Sequence, residues 1–95
     1  MRVTVKFFAS LREMTKKRDE VFNLDEGLLV KDLVKILIDK YGSEFKYYVY
    51  DENKGSLKQD IQFLINGRNV LTLDGLKTRL KDGDQIAILP PVGGG

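Results

Sequence analysis

The chain contains no cysteine and no histidine among its 95 residues. The first absence excludes disulfides, thiolate metal sites and a nucleophilic thiol. The second removes the side chain most used as metal ligand and general base. No apolar run approaches the roughly 20 residues that span a bilayer. The first apolar residues, Val3, Val5, Phe7 and Phe8, are interleaved with Arg2, Thr4 and Lys6, which is not the pattern of a cleaved leader. The expectation is therefore a cytoplasmic protein with no membrane partner, no metal and little catalytic equipment of its own. A strong charge imbalance is missing too, the formal net charge being +2. The basic run Lys16-Lys17-Arg18 is followed at once by Asp19 and Glu20, so it reads as a solvated loop and no nucleic-acid partner is expected.

What is present is a short chain with 42% hydrophobic and 32% charged residues, the composition of one small globular domain. Residues 2–8 alternate and are rich in β-branched and aromatic types, which predicts a strand with Val3, Val5 and Phe7 on one face. A helical turn over 9–14 and a second strand over 20–24 follow, the two strands forming a hairpin. Val30, Leu33, Val34, Leu37, Ile38 and Tyr41 make a continuous apolar stripe and predict a helix over Val30–Tyr41. Gly42 is placed to end it in a left-handed cap, while Leu29 is a poor N-cap that leaves Asp32 to complement the helix dipole. In residues 43–60 only Phe45, Tyr48 and Val49 suggest a short helical turn. Ile61, Phe63 and Ile65 predict a third strand, Asn66-Gly67 a tight turn into a short strand near residues 69–71, and Asp82-Gly83 a turn into a last strand, Gln85–Leu89.

Two strands, a helix and three further strands predict an α+β fold, one mixed sheet packed on one main helix, with the last strand parallel to the first in a β-grasp arrangement. A ferredoxin-like topology would need a second long helix, and residues 43–60 carry no comparable stripe. The expected organisation is a β-grasp domain over 1–89 and a tail over 90–95.

Three of the nine glycines fill positions 93–95, directly after Pro90-Pro91-Val92. Such a composition also occurs in frayed ends and cloning linkers, though a linker usually includes serine and seldom follows a strand so closely. Read as a device, Pro90-Pro91 stops sheet pairing and keeps the chain extended. Glycines without Cβ can thread a narrow channel. Six residues beyond Leu89 reach about 20 Å, enough to enter another protein's active site. With Gly95 as the terminus, its carboxylate is a poor electrophile until activated. Adenylation with ATP followed by displacement of AMP by a sulfur donor would leave a thiocarboxylate, and the carrier needs no base, metal or thiol for either step.

Four segments carry a family resemblance: KFFASLRE at 6–13, NGRNV at 66–70, LDGLKTRLKDGD at 73–84 and QIAILPPVGGG at 85–95. In these the chain resembles the MoaD family, the small sulfur-carrier subunit of molybdopterin synthase, in a form most like the archaeal members. The thiazole-forming relative ThiS is similar in fold and tail but usually lacks the Pro-Pro. The resemblance implies that Gly95 is adenylated by an activating enzyme of the MoeB type that consumes ATP. It implies that no cofactor is held stably, and that the charged tail is presented to a large subunit of the MoaE type in a heterotetramer. Catalytic residues are then expected on the large subunit, with none here. The diglycine carries over to Gly94 and Gly95; Gly93 stands where relatives often have another small residue.

Strand parity adds a partner surface. If Val3, Val5, Phe7, Ile86 and Ile88 face the helix, Phe8, Ala87 and Leu89 face away and form a docking patch beside the tail, unless residues 47–50 cover it. Arg12, Asn66, Arg68, Asp82 and Asp84 read as turn and loop hydrogen-bonding residues. A second function compatible with the same tail is a ubiquitin-like modifier joined through Gly95 to lysines of target proteins; a third is a ThiS-like carrier for thiazole synthesis, and a plain binding module is the fourth.

Overall fold

The computed structural model describes residues 1–91; Val92, Gly93, Gly94 and Gly95 lie outside the described residues. Strand β1, Arg2–Phe7, alternates exposed or half-exposed with buried residues, as its sequence does, and sends Val3, Val5 and Phe7 into the core with no exposure. A short helix α1, Ala9–Thr15, leads to β2, Asp19–Asn23, which pairs antiparallel with β1. Helix α2, Val30–Tyr41, has the bounds its apolar stripe predicts and buries Val30, Leu33, Val34 and Leu37. Asp32 serves its N-terminus as expected, with its Oδ2 accepting from the Leu29 N–H at 2.8 Å.

Gly42 does end α2, its N–H donating to the Ile38 carbonyl at 2.7 Å, but not in the left-handed helical conformation. Its φ of 89° is combined with a ψ of −170°, a region open to glycine, because the chain turns at once into another helix, α3, Ser43–Val49. Phe45 and Val49 of α3 are buried and Tyr48 packs against the core from its edge. A two-stranded ribbon follows, β3 (Tyr50–Asp51) with β4 (Ser56–Leu57). Then come β5, Gln62–Ile65, and β6, Arg68–Asn69, joined by Asn66-Gly67 with φ values of 50° and 84°, both positive as a two-residue I′ hairpin requires. The short strand near 69–71 is thus one residue earlier, and the chain coils into a 3-10 turn at Val70–Thr72 and another at Gly75–Lys77. The last strand, β7, is Gln85–Leu89.

The five-stranded sheet has the order β2-β1-β7-β5-β6, with β7 parallel to β1 and antiparallel to β5. Parallel neighbours need a long crossover. Here the crossover carries α2 across one face of the sheet, and the result is the β-grasp, ubiquitin-like fold. Phe7, Phe45, Phe63, Leu33, Leu37 and Ile86 are among its largest fully buried side chains.

Two turns are clamped by three side-chain hydrogen bonds. Arg2 N donates to Asp82 Oδ1 at 2.7 Å, Lys81 N donates to Asp84 Oδ2 at 2.8 Å, and Asn66 Nδ2 donates to Asp84 Oδ1 at 3.0 Å. Asp82, Asp84 and Asn66 therefore hold the start of β7 against β1 and the β5–β6 turn, as their turn reading requires.

Candidate functional site at the root of the tail

The register of β7 places the tail. Gln62 opposite Leu89 is the last pair between β5 and β7, and the next residue, Pro90, has no N–H with which to continue the ladder. The chain leaves the sheet there, at the end where β1 gives way to α1.

Phe8 sits at that junction. It follows the last residue of β1 in extended conformation (φ −129°, ψ 151°) and serves as the N-terminal boundary of α1. Its neighbour Ala9 has a φ of 50°, a left-handed backbone that an L-residue adopts at some cost. The chain reverses there into α1, which buries Leu11 in the core. Phe8, Ala9, Asp60, Gln62, Leu89 and the Pro90-Pro91 pair line one groove of about 270 Å³. Phe8 and Leu89, predicted from parity alone, are thus brought together with the prolines. Residues 47–50 are absent from the lining, although parity left them as a possible cover.

Ala87 is not in that groove. It lies farther back on the outer sheet face, half-buried, beside Lys6 of β1 and Leu64 of β5. Leu64, which alternates with the buried Phe63 and Ile65, lies beside Ala87 on this face and was not among the residues that parity picked out. The main helix α2 packs against the opposite face.

Electrostatics adds a rim that composition did not disclose. Lys6, Arg12 and Arg18 line a second depression that shares Phe8 with the groove, with Asp19 the lone acid among them. The Arg12 guanidinium lies 5.7 Å from the Phe8 ring centroid, and its Nε donates to the Phe7 carbonyl at 3.3 Å. Arg12 thus makes the local backbone hydrogen bond expected of it, and it also presents charge beside Phe8. None of the three cations has an ion pair among the described residues. An apolar centre of Phe8, Ala87 and Leu89 with a basic rim can bind a partner whose surface is apolar with acidic borders. Among the described residues no group of acids could hold a metal ion, and no helix is long and apolar enough to cross a membrane.

The fold defines the class, a ubiquitin-like protein of the β-grasp type. A ThiS family profile matches residues 5–95, and the chain belongs to this ThiS/MoaD family of sulfur carriers. It is 34% identical to small archaeal modifier protein 3 of Haloferax volcanii, over all of both chains. It is 30% identical to a molybdopterin synthase sulfur carrier subunit of Chlamydomonas reinhardtii, again over all of both. Among solved structures, small archaeal modifier protein 1 of Methanosarcina acetivorans superposes with a TM-score of 0.79 at 40% identity, covering 99% of this chain and 96% of that one.

Proposed function

We propose that the chain is the small, sulfur-carrying subunit of a molybdopterin synthase, with the carboxylate of Gly95 as the group that is charged. What carries the reading is the joining of a Pro-Pro-Val-Gly-Gly-Gly tail to a groove made by Phe8, Leu89, Pro90 and Pro91, in a chain similar along its full length to a synthase carrier subunit. In this reading a MoeB-type enzyme brings ATP, and a carboxylate oxygen of Gly95 attacks the α-phosphorus and releases pyrophosphate. Hydrosulfide, or its equivalent from a donor, then attacks the acyl carbon, forming the C–S bond as the C–O bond to AMP breaks. The thiocarboxylate is delivered to a MoaE-type large subunit, which supplies the catalytic residues. Pro90-Pro91 directs the tail and Gly93, Gly94 and Gly95 enter the channel, with Val92 as the residue between the two parts. The patch of Phe8, Ala87 and Leu89 docks the partner, and its rim of Lys6, Arg12 and Arg18 selects one with acidic borders.

The test is reconstitution: thiocarboxylated chain plus a competent large subunit should place sulfur on the pterin precursor. Failure with a large subunit that works with its own carrier would reject the synthase role. A second reading, a modifier joined through Gly95 to protein lysines, is favoured by the similarity to two archaeal modifier proteins. Diglycine remnants on cellular lysines would support it, and the two roles share the adenylation step.

A further inference from the structure

Along one flank of α2 lies a groove that shares no residue with the tail root. It runs between α2, the end of α3 with the start of the ribbon, and the 3-10 turn Gly75–Lys77, and has a volume of about 590 Å³. That is within the roughly 300–1,000 Å³ of sites that hold a ligand or a few side chains. Its floor is Val34, Ile38, Leu76 and Tyr50. Around it stand four lysines, Lys31, Lys35, Lys46 and Lys77, with Asp39 the only acid. The lining thus holds a larger positive charge than the formal +2 of the whole chain.

The lysines differ in what they already bind. Lys35 pairs with Asp39 at 3.2 Å, four residues on along α2, and Lys46 pairs with Glu52. Lys31 and Lys77 have no ion pair among the described residues. Two uncompensated ammonium groups on separate elements, over an apolar floor, ask for an occupant that brings apolar side chains and carboxylates close together. A neutral apolar ligand would leave the charges unanswered, and a nucleic acid would find one aromatic face, Tyr50, where base stacking favours several.

We propose that this groove is a second docking site, which takes an acidic peptide segment of a partner protein with apolar side chains between its carboxylates. The apolar side chains rest on Val34, Ile38 and Leu76, and the carboxylates meet Lys31 and Lys77. Because the groove and the tail root are separate, such a partner can hold the carrier while its tail is engaged elsewhere. The proposal does not depend on which acceptor the tail serves.

The experiment is an NMR titration of the full 15N-labelled chain with the capped peptide Asp-Leu-Asp-Leu-Asp-Leu-Asp. Shifts are expected at residues 31–38 and 75–77, with Phe8 and Leu89 unmoved and binding weakened by added salt. The double variant Lys31→Glu/Lys77→Glu, made at exposed positions, should bind about tenfold more weakly, and Lys31→Gln/Lys77→Gln provides the same test should charge reversal disturb the fold. The proposal is overturned by an absence of shifts in this groove, by equal binding of the peptide with asparagine in place of aspartate, or by a double variant that binds as well as the parent. It is also overturned if octanoate or a short oligothymidylate occupies the groove more tightly than the peptide. Concentration-dependent shifts there without any peptide would assign the groove to a second copy of the chain and reject it equally.

Discussion

The Asn66 side-chain amide donates to Asp84 Oδ1 at 3.0 Å across a separation of 18 residues, while Asn66 Oδ1 accepts from the Gln85 N–H at 2.9 Å. One side chain thereby ties the β5–β6 turn to the start of β7. Asp84 is buried and accepts a second bond, from Lys81 N. Its replacement by alanine leaves two donors without their acceptor, and Asp84→Ala should cost about 2–3 kcal/mol in urea unfolding. Asp84→Asn, which keeps one acceptor oxygen, should cost less. Equal losses would show that burial alone, and not the hydrogen bonds, governs the site.

Glu20 supplies a pH-dependent tie between β2 and the end of α2. Its carboxylate accepts from Lys17 at 3.1 Å and also from Lys40 and from the Tyr41 hydroxyl. Burial alone would raise this carboxyl, but the hydrogen bonds from Lys40, Tyr41 and Lys17 outweigh it and hold it below the ordinary value. A carboxyl depressed in the folded state adds stability that is present above its unfolded value, near 4.3, and is lost as pH falls through the folded value. Tyr41 is shifted the other way, upward, by burial first and then by its bond to the Glu20 carboxylate. Its contribution is complete below the unfolded tyrosine range and falls away as pH rises beyond it. Denaturation midpoints from pH 3 to pH 7 should therefore rise more steeply in the parent than in Glu20→Gln; parallel curves would contradict this.

Ala9 is exposed yet sits at a φ of 50°. A β-branched side chain resists that conformation, so Ala9→Val should destabilise by about 1–2 kcal/mol in spite of the free space around it, whereas Ala9→Gly should be close to neutral. If valine is tolerated as well as glycine, the reversal between Phe8 and α1 is not strained.

Phe8 is half-buried and outside the core, so Phe8→Asp should leave the melting temperature within a few degrees of the parent. It should abolish detectable binding to the large subunit, measured by calorimetry. Arg12→Glu should weaken the same binding and reduce its dependence on salt. Unchanged affinity in both variants would remove the patch from the account.

The sequence made the regular elements legible where a periodic pattern had room to repeat. Helix α2 has its predicted bounds because six apolar residues mark one face, and β7 has its predicted bounds because Ile86 and Ile88 alternate between turn signals. The ribbon Tyr50–Asp51 with Ser56–Leu57 was not legible, since strands of two residues hold too few positions to show an alternation. Gly42 was read as a helix stop, correctly, but its conformation depends on α3 starting directly after it.

The same division holds for the sites. Parity could place Phe8 and Leu89 together because β1 and β7 are neighbours and Phe8 continues β1 by one residue in extended conformation. Asp60 and Gln62 joined them only through the β5–β7 register, and Arg12 only through the turn of α1. The lysine groove was hidden for the same reason. Lys31 and Lys35 share a helix, but Lys46 and Lys77 come from elements whose packing no local pattern reveals.

The central claim is that Gly95 is charged with sulfur, and intact-mass spectrometry tests it most directly. The chain is incubated with ATP, hydrosulfide and an activating enzyme shown to charge its own carrier. The account predicts a mass gain equal to sulfur replacing one oxygen, localised by fragmentation to Gly95 and absent when Gly94-Gly95 is deleted. An unchanged mass under conditions in which the control carrier is converted would contradict it.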